Sequence, residues 1–371
     1  MNIFIIFEAY LEKSILEVNM KHVKRILMAI VLMAIGMSGA QAQYVITHAK
    51  IAMPGQQKGI YYALPRTIIQ LDLMVDKTEL VEGPYSDYAY LIGATDIIHG
   101  DGVEYILKDV AMSTYAEADP NATFFVSMNA KNDAQPFYLN SKGILEGVGM
   151  IGETTKEQVK APVQVKVTSN NKTFKYQYGS SGMRSPDQQA RAAADMISRI
   201  REEKIKLLTG FQETAFTLDT YRQMYADLDA MEEEYLSLFV GKRVVTPVVQ
   251  TVYVTLSKDV PSQTVGSFSR YSGFSTDVYG EKTITVQAIS LQTTGSINPL
   301  SQSAVETLSH ENKLFYRIPE TAYIKVSLGD EVLIETREII AQFGSFMLAP
   351  LGRTKLALDP NTGQIVSMGM E

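Results

Sequence analysis

Asp96, His99, Asp101 and Glu104 form the densest cluster of carboxylate and imidazole groups in the chain, and divalent cations accept ligands of those kinds. Gly100 and Gly102 mark the same stretch as a turn, where acids ordinarily stay solvated or bond the local backbone. No metal site is therefore expected, and these four residues are the candidates if one exists. Gly147-Val148-Gly149-Met150-Ile151-Gly152 has the G-x-G-x-x-G spacing that brings a backbone close to a pyrophosphate, but that chemistry needs a strand before it and a helix after it. Pro162 and an alternating run follow instead, so the glycines read as a strand bend. Ser169-Asn170-Asn171-Lys172 has the S-x-x-K spacing of penicillin-recognising enzymes, yet it falls in a predicted hairpin loop and its partner motifs are missing. There is no G-x-S-x-G elbow, and with no cysteine there is no thiolate nucleophile and no disulfide. No cofactor is expected and no residue is assigned as catalytic. Paired carboxylates acting on a glycosidic bond are the one enzymatic chemistry left open, and the sequence does not localise them.

Two sets of residues could bind a partner. Tyr61-Tyr62-Ala63-Leu64-Pro65-Arg66-Thr67 is matched by Phe315-Tyr316-Arg317-Ile318-Pro319-Glu320-Thr321, with an alternating run after each copy. Proline cannot donate to a ladder, so each copy is expected where a strand stops or bulges. The aromatics Tyr61, Tyr62, Phe315 and Tyr316 could form a paired ligand platform, although aromatics beside strand-edge prolines more often pack a core. Glu232-Glu233-Glu234 lies in the last turns of a predicted helix, where the macrodipole disfavours negative charge. It reads as a solvated face, or as a contact for a basic partner or a Ca²⁺ ion. The chain has 20 tyrosines, and exposed ones favour carbohydrate or protein contacts.

These residues are positioned by three regions. From residue 43 to 182 alternation dominates: Thr67 to Val75, Glu104 to Met112 and Ala122 to Met128 are strand candidates, Val163 to Val167 and Thr173 to Tyr178 read as a hairpin, and Pro84 to Ile92 reads as a short helix ended by Gly93. From 183 to 241 the period becomes 3.6, with Ser185-Pro186 opening one helix that Gly210 ends and a second running from about Leu218 to Phe239. A short connection makes them an antiparallel hairpin. From 242 to 371 alternation returns at Val248 to Leu256, Thr283 to Ile289 and Thr321 to Leu328. Asp359-Pro360-Asn361-Thr362-Gly363 supplies the turn of a terminal hairpin rather than a calcium loop.

Residues 1 to 42 stand apart. Met20-Lys21-His22-Val23-Lys24-Arg25, the apolar run Ile26 to Ile35 and the ending Ala40-Gln41-Ala42 have the layout of a secretory signal, with translation starting at Met20 and cleavage after Ala42. No later run is long and apolar enough to span a bilayer as a helix. The net charge of -7 speaks against binding nucleic acid through phosphates.

Gly59-Ile60-Tyr61-Tyr62-Ala63-Leu64-Pro65-Arg66-Thr67, Glu117-Ala118-Asp119-Pro120, Leu314-Phe315-Tyr316-Arg317-Ile318-Pro319, Ala341-Gln342-Phe343-Gly344 and Asp359-Pro360-Asn361-Thr362-Gly363 together resemble domain of unknown function 4831, a family of exported proteins of gut-type Gram-negative anaerobes. The resemblance spans the chain after the signal. It implies an exported or envelope location and brings no activity, cofactor or catalytic residue.

The sequence thus predicts an α+β, mostly β protein, two β-rich domains with an antiparallel helical hairpin between them. It is expected in the periplasm or associated with the outer membrane, as a non-enzymatic module that binds or scaffolds an envelope protein or a glycan. A carbohydrate-active hydrolase using two carboxylates is the alternative.

Overall fold

A computed structural model of the protein describes residues 44–53, 58–128, 135–152, 172–176, 185–209, 217–292 and 299–370. The signal segment, Val163 to Val167, Ser169 to Asn171 and Gly210 lie outside them.

Alternation builds two long antiparallel hairpins. In the first, β2 (Gly59–Val81) turns Ile69, Leu71, Leu73 and Val75 inward and pairs with β3 (Gly102–Met128). The latter joins the two separate strand candidates of that stretch into one. In the second, β11 (Lys313–Leu328) turns Ile324, Val326 and Leu328 inward and pairs with β12 (Glu331–Pro350). Shorter strands complete three sheets. The first also holds β1 (Tyr44–His48), β6 (Lys242–Val254) and β10 (His310–Glu311), in the order β10-β1-β3-β2-β6. The second adds β7 (Ser262–Ser269), β8 (Gly273–Ser275) and β9 (Lys282–Ser290), in the order β12-β11-β9-β7-β8. The third runs β14-β13-β5-β4, from β4 (Phe137–Leu139), β5 (Leu145–Val148), β13 (Thr354–Leu358) and β14 (Ile365–Met370). The protein is α+β and mostly β.

The two β-rich regions share sheets and cores. Strand β6, which follows the helices, lies against β2; β10 lies against β1; β13 lies against β5. One apolar core joins Tyr44, Tyr62 and Phe124 to Phe315, Phe346 and Leu356, and a second joins Ile69, Leu71 and Leu73 to Ile284, Ile324 and Phe343.

A third core belongs to the helices α1 (Pro186–Thr209) and α2 (Leu218–Val240). Ser185 Oγ accepts from Gln188 N and Thr217 Oγ1 from Thr220 N, so each start is capped by a hydroxyl. Arg201 bonds Glu232 while Lys204, farther along α1, bonds Asp229, farther back along α2; the helices are therefore antiparallel. Ala190, Ala193 and Ile197 pack with Leu238 and Phe239 against Tyr85 and Ala89. Ala89 belongs to the predicted short helix, a 3₁₀ helix (Ser86–Ile92) ended by Gly93 in the left-handed region, and Tyr85 is its N-cap. Thr173 to Tyr176, expected to begin a strand, are irregular and turn residues instead. A further short helix, α3 (Gln302–Thr307), caps the first core through Val305.

Candidate functional site

The five stretches that carry the family resemblance meet inside the protein. In the first hairpin Ala63 pairs with Thr123 and Pro65 with Ala118, so Leu64 alone faces the bulge Asp119-Pro120-Asn121-Ala122. In the second, Ile318 pairs with Ser345 and Glu320 with Ile340, so Pro319 alone faces the bulge Ala341-Gln342-Phe343-Gly344. Local chemistry makes each bulge. Asp119 Oδ1 accepts from Asn121 N at 3.0 Å, a turn built into the middle of a strand. At Gly344 a Cβ would sit 2.1 Å from Ile318 O, so only glycine lets the strands approach there.

Each hairpin sends a side chain into the other's bulge. Arg317 Nη2 donates to Asp119 Oδ2 at 3.0 Å, and its Nη1 donates to Pro65 O at 2.6 Å. Its guanidinium lies 4.7 Å from the Phe346 ring centre. Burial pushes the Arg317 guanidinium below its ordinary range, and the charge of Asp119 and the bond to it pull the other way. In return, Gln342 Oε1 accepts from Thr67 N at 2.7 Å while Gln342 Nε2 donates to Thr67 O and Leu256 O. Thr67 Oγ1 accepts from Ala341 N at 2.9 Å. The terminal turn closes the junction: Gly363 O accepts from Arg317 N, and both Asp359 carboxylate oxygens bond within the turn, to Asn361 N and Thr362 Oγ1.

The aromatics offered as a platform divide by depth. Tyr62 and Phe315 are interior: Tyr62 stacks on Phe124, Phe124 stacks on Phe315 with centres 4.5 Å apart, and the Tyr62 hydroxyl accepts from Phe315 N and donates to Phe315 O. Tyr61 is exposed and packs on Phe125, and Tyr316 is half-buried. The acidic run divides likewise. Glu232 takes bonds from Arg201 and Lys204, Glu234 from Lys242, and Glu233 is exposed. Burial raises Glu232 while the Lys204 and Arg201 bonds lower it, and the lowering wins.

Asp96, His99, Asp101 and Glu104 are not brought together. Arg243 bonds Asp96, Asp101 accepts from Glu82 N, and Arg270 bonds both oxygens of Glu104 at 2.8 Å. Among the described residues no group of three or more His, Asp or Glu side chains could hold a metal ion. The Gly147 to Gly152 stretch leaves β5 beside β13, and a Cβ on Gly147 would meet Met150 O and Leu356 O. These glycines serve close strand packing. His48 and His310 both face the first core, His48 against Phe124 and His310 against Phe315.

The solvent side of the first sheet is where side chains gather without closing a core. Register puts Arg66, Ile68, Gln70 and Asp72 of β2 beside Glu117, Tyr115, Ser113 and Ala111 of β3, and puts Tyr253 and Thr251 of β6 beside Gln70 and Asp72. Tyr253 is 61% exposed and meets Tyr115 edge to face, with ring centres 6.1 Å apart. Glu117 accepts from Arg66 Nη2 on one oxygen and from the Tyr115 hydroxyl on the other. Burial, then the Glu117 charge, raises that hydroxyl above the ordinary tyrosine range. Asp72 is fixed by Gln70 Nε2, which donates to both its oxygens at 3.1 Å, and by Thr251 Oγ1 at 2.7 Å. Alternation along Thr67 to Val75 puts Gln70 and Asp72 on one strand face, and nothing local to the sequence places Tyr115 and Tyr253 beside them.

The sequence model of one family, described as Domain of unknown function (DUF4831), matches residues 58–366, and the chain belongs to that family. No curated protein and no solved structure matches it. Among the described residues no helix is long and apolar enough to cross a membrane.

Proposed function

We propose that this member of the DUF4831 family is an exported envelope protein that binds or scaffolds another macromolecule and performs no chemistry of its own. Export rests on the basic, apolar and Ala40-Gln41-Ala42 segments at the N-terminus. The binding role rests on one contrast. The buried polar side chains Arg317, Asp119 and Thr67, with the half-buried Gln342, join its two hairpins. The open face of the first sheet meanwhile carries an ordered set of aromatic and hydrogen-bonding side chains around Tyr253 and Asp72. A glycan hydrolase would need two carboxylates flanking a substrate, one kept protonated. Asp119 is bonded to Arg317 and Asn121 N in the interior, and Asp72 is tied to its neighbours on a sheet face, so neither favours that reading.

The test uses the full chain from Gln43 as bait on envelope extracts, beside a glycan array, with cell fractionation and N-terminal sequencing of the native protein. A stoichiometric partner or a glycan hit, on a protein that begins at Gln43, is the expected result. Catalytic turnover of a glycan, or a native protein that is cytoplasmic and begins at Met1 or Met20, would overturn it.

A further inference from the structure

We propose that the solvent face of the first sheet, centred on Tyr253, Gln70 and Asp72, is a binding surface for a neutral oligosaccharide. This deepens the binding reading above and rests on it. Same-face rows on a strand are about 7 Å apart, so the open rows from Gln70 to Met74, beyond the buried Ile68, run about 14 Å, enough for a short oligosaccharide laid in a line.

Three properties of the face select the ligand. The first is an exposed aromatic whose geometry is set: Tyr253 is held edge to face against Tyr115, whose own hydroxyl is tied to Glu117. A sugar's C–H face covers such a ring, and the ring loses little freedom on binding because it is already positioned. The second is a fixed hydrogen-bonding array. Three donated bonds hold the Asp72 carboxylate in place, and because Gln70 spends its Nε2 on Asp72, its Oε1 stays available as an acceptor. Sugar hydroxyls donate to such acceptors, whereas an apolar protein surface laid on Gln70, Asp72 and Thr251 would desolvate them without repayment.

The third is charge. The cations on and beside this face are already committed: Arg66 to Glu117, Lys142 to Ala116 O and the Tyr115 ring, and Lys108 to Asp76. Among the described residues a phosphate, sulfate or uronate meets only cations that are already paired here, with Asp72 and Glu117 beside them. Nucleic acid and acidic polysaccharide are disfavoured on that ground, and a neutral glycan is the class that fits.

The chain has no tryptophan, so its near-ultraviolet absorption difference spectrum reports tyrosine directly. The full chain from Gln43 is titrated with linear hexasaccharides of glucose, mannose, xylose and N-acetylglucosamine, each to about 5 mM, a weak-affinity limit. Polygalacturonate and heparin are the anionic comparison. The expected result is a saturable tyrosine signal with at least one neutral hexasaccharide, and none with the anions. Affinity falls at least about tenfold, or about 1.4 kcal/mol, in both Tyr253→Ala and Asp72→Ala. It is unchanged in Tyr271→Ala, which removes an exposed tyrosine from the turn between β7 and β8 of the second sheet instead. Both binding-face positions are on the solvent side, and near-ultraviolet circular dichroism checks that each variant folds. No binding by any neutral sugar, or binding that survives both substitutions, overturns the proposal. If the chain captures a stoichiometric protein partner but no sugar, this inference fails while the binding reading stands; if it captures neither, both fail.

Discussion

Replacing Arg317 with methionine tests whether the junction between the hairpins carries the stability assigned to it. Methionine keeps most of the side chain's length and its contact with Phe346, and it removes the charge and the donors. What remains is Asp119 with its Oδ2 partner gone. The Arg317 and Asp119 side chains are 3% and 8% exposed, so water does not take arginine's place cheaply. Breaking a pair this deeply buried by removing one partner costs about 3–5 kcal/mol, because a desolvated charge is stranded. The lost bond to Pro65 O lies within that figure. At about 2.1 cal/mol/K of unfolding entropy per residue, about 1 kcal/mol moves the melting temperature of a chain this long by roughly 1.5 °C, so a fall of about 4–7 °C is expected. Asp119→Asn should cost less, since it retains an acceptor, and the double variant should cost less than the two single changes together, with about 1–3 kcal/mol of coupling. Thermal and urea unfolding of the four proteins, followed by far-ultraviolet circular dichroism, measures this. The solvent-exposed pair Arg243–Asp96 is the internal reference: Asp96→Ala should change stability by less than about 1 kcal/mol. If Arg317→Met melted within about 1 kcal/mol of the unaltered protein, or if the double variant were simply additive, the latch would not be what joins the hairpins.

Gly344→Ala should destabilise by more than about 2 kcal/mol, because its Cβ would lie 2.1 Å from Ile318 O and 2.8 Å from Pro319 Cα, backbone that cannot swing aside; a melting temperature equal to the unaltered protein's would contradict the bulge geometry. Phe315→Ala removes a fully buried ring from the first core and should cost about 3–5 kcal/mol in urea unfolding. Stability should also fall with acid in two steps. His310 is held below its ordinary value of 6.5, first by burial and then by Lys313, so the unfolded chain takes its proton at higher pH than the folded one. Its contribution is present above about pH 6.5 and lost as pH falls through the folded value, and His310→Phe should flatten that part of the profile. Glu232 is likewise net lowered from 4.5, so its contribution is lost only below about pH 4.5. In Glu232→Gln this second step should shrink while the first persists, as read from urea midpoints across pH.

How far a sequence discloses such a molecule depends on the range of the interaction. Alternation from Thr67 to Val75 and from Thr321 to Leu328, the capping hydroxyl before Pro186, the terminal Asp359-Pro360-Asn361-Thr362-Gly363 turn and Gly93 after the short helix are all decided within a few residues, and each is found as expected. The bulges were half visible. Asp119-Pro120-Asn121 is ordinary turn chemistry, and it divides the strand candidates ending at Met112 and beginning at Ala122. Pairing with the continuous strand β2 is what overrides it and makes one strand with a turn inside. What no local rule reaches is the partner of a group far away in the chain. Nothing around Arg317 names Asp119, 198 residues earlier, and nothing around Thr67 names Gln342, 275 residues later. The same holds for Tyr115 and Tyr253, which become neighbours only because β2 lies between them in register. The resemblance to the family rests on residues of the first kind of pair, those that lock the hairpins. The face proposed to meet a ligand is built mostly from others, with Arg66 and Glu117 in both sets. Exchanging Tyr253 and Asp72 should alter what is bound without altering the fold, whereas exchanging Arg317 should do the reverse.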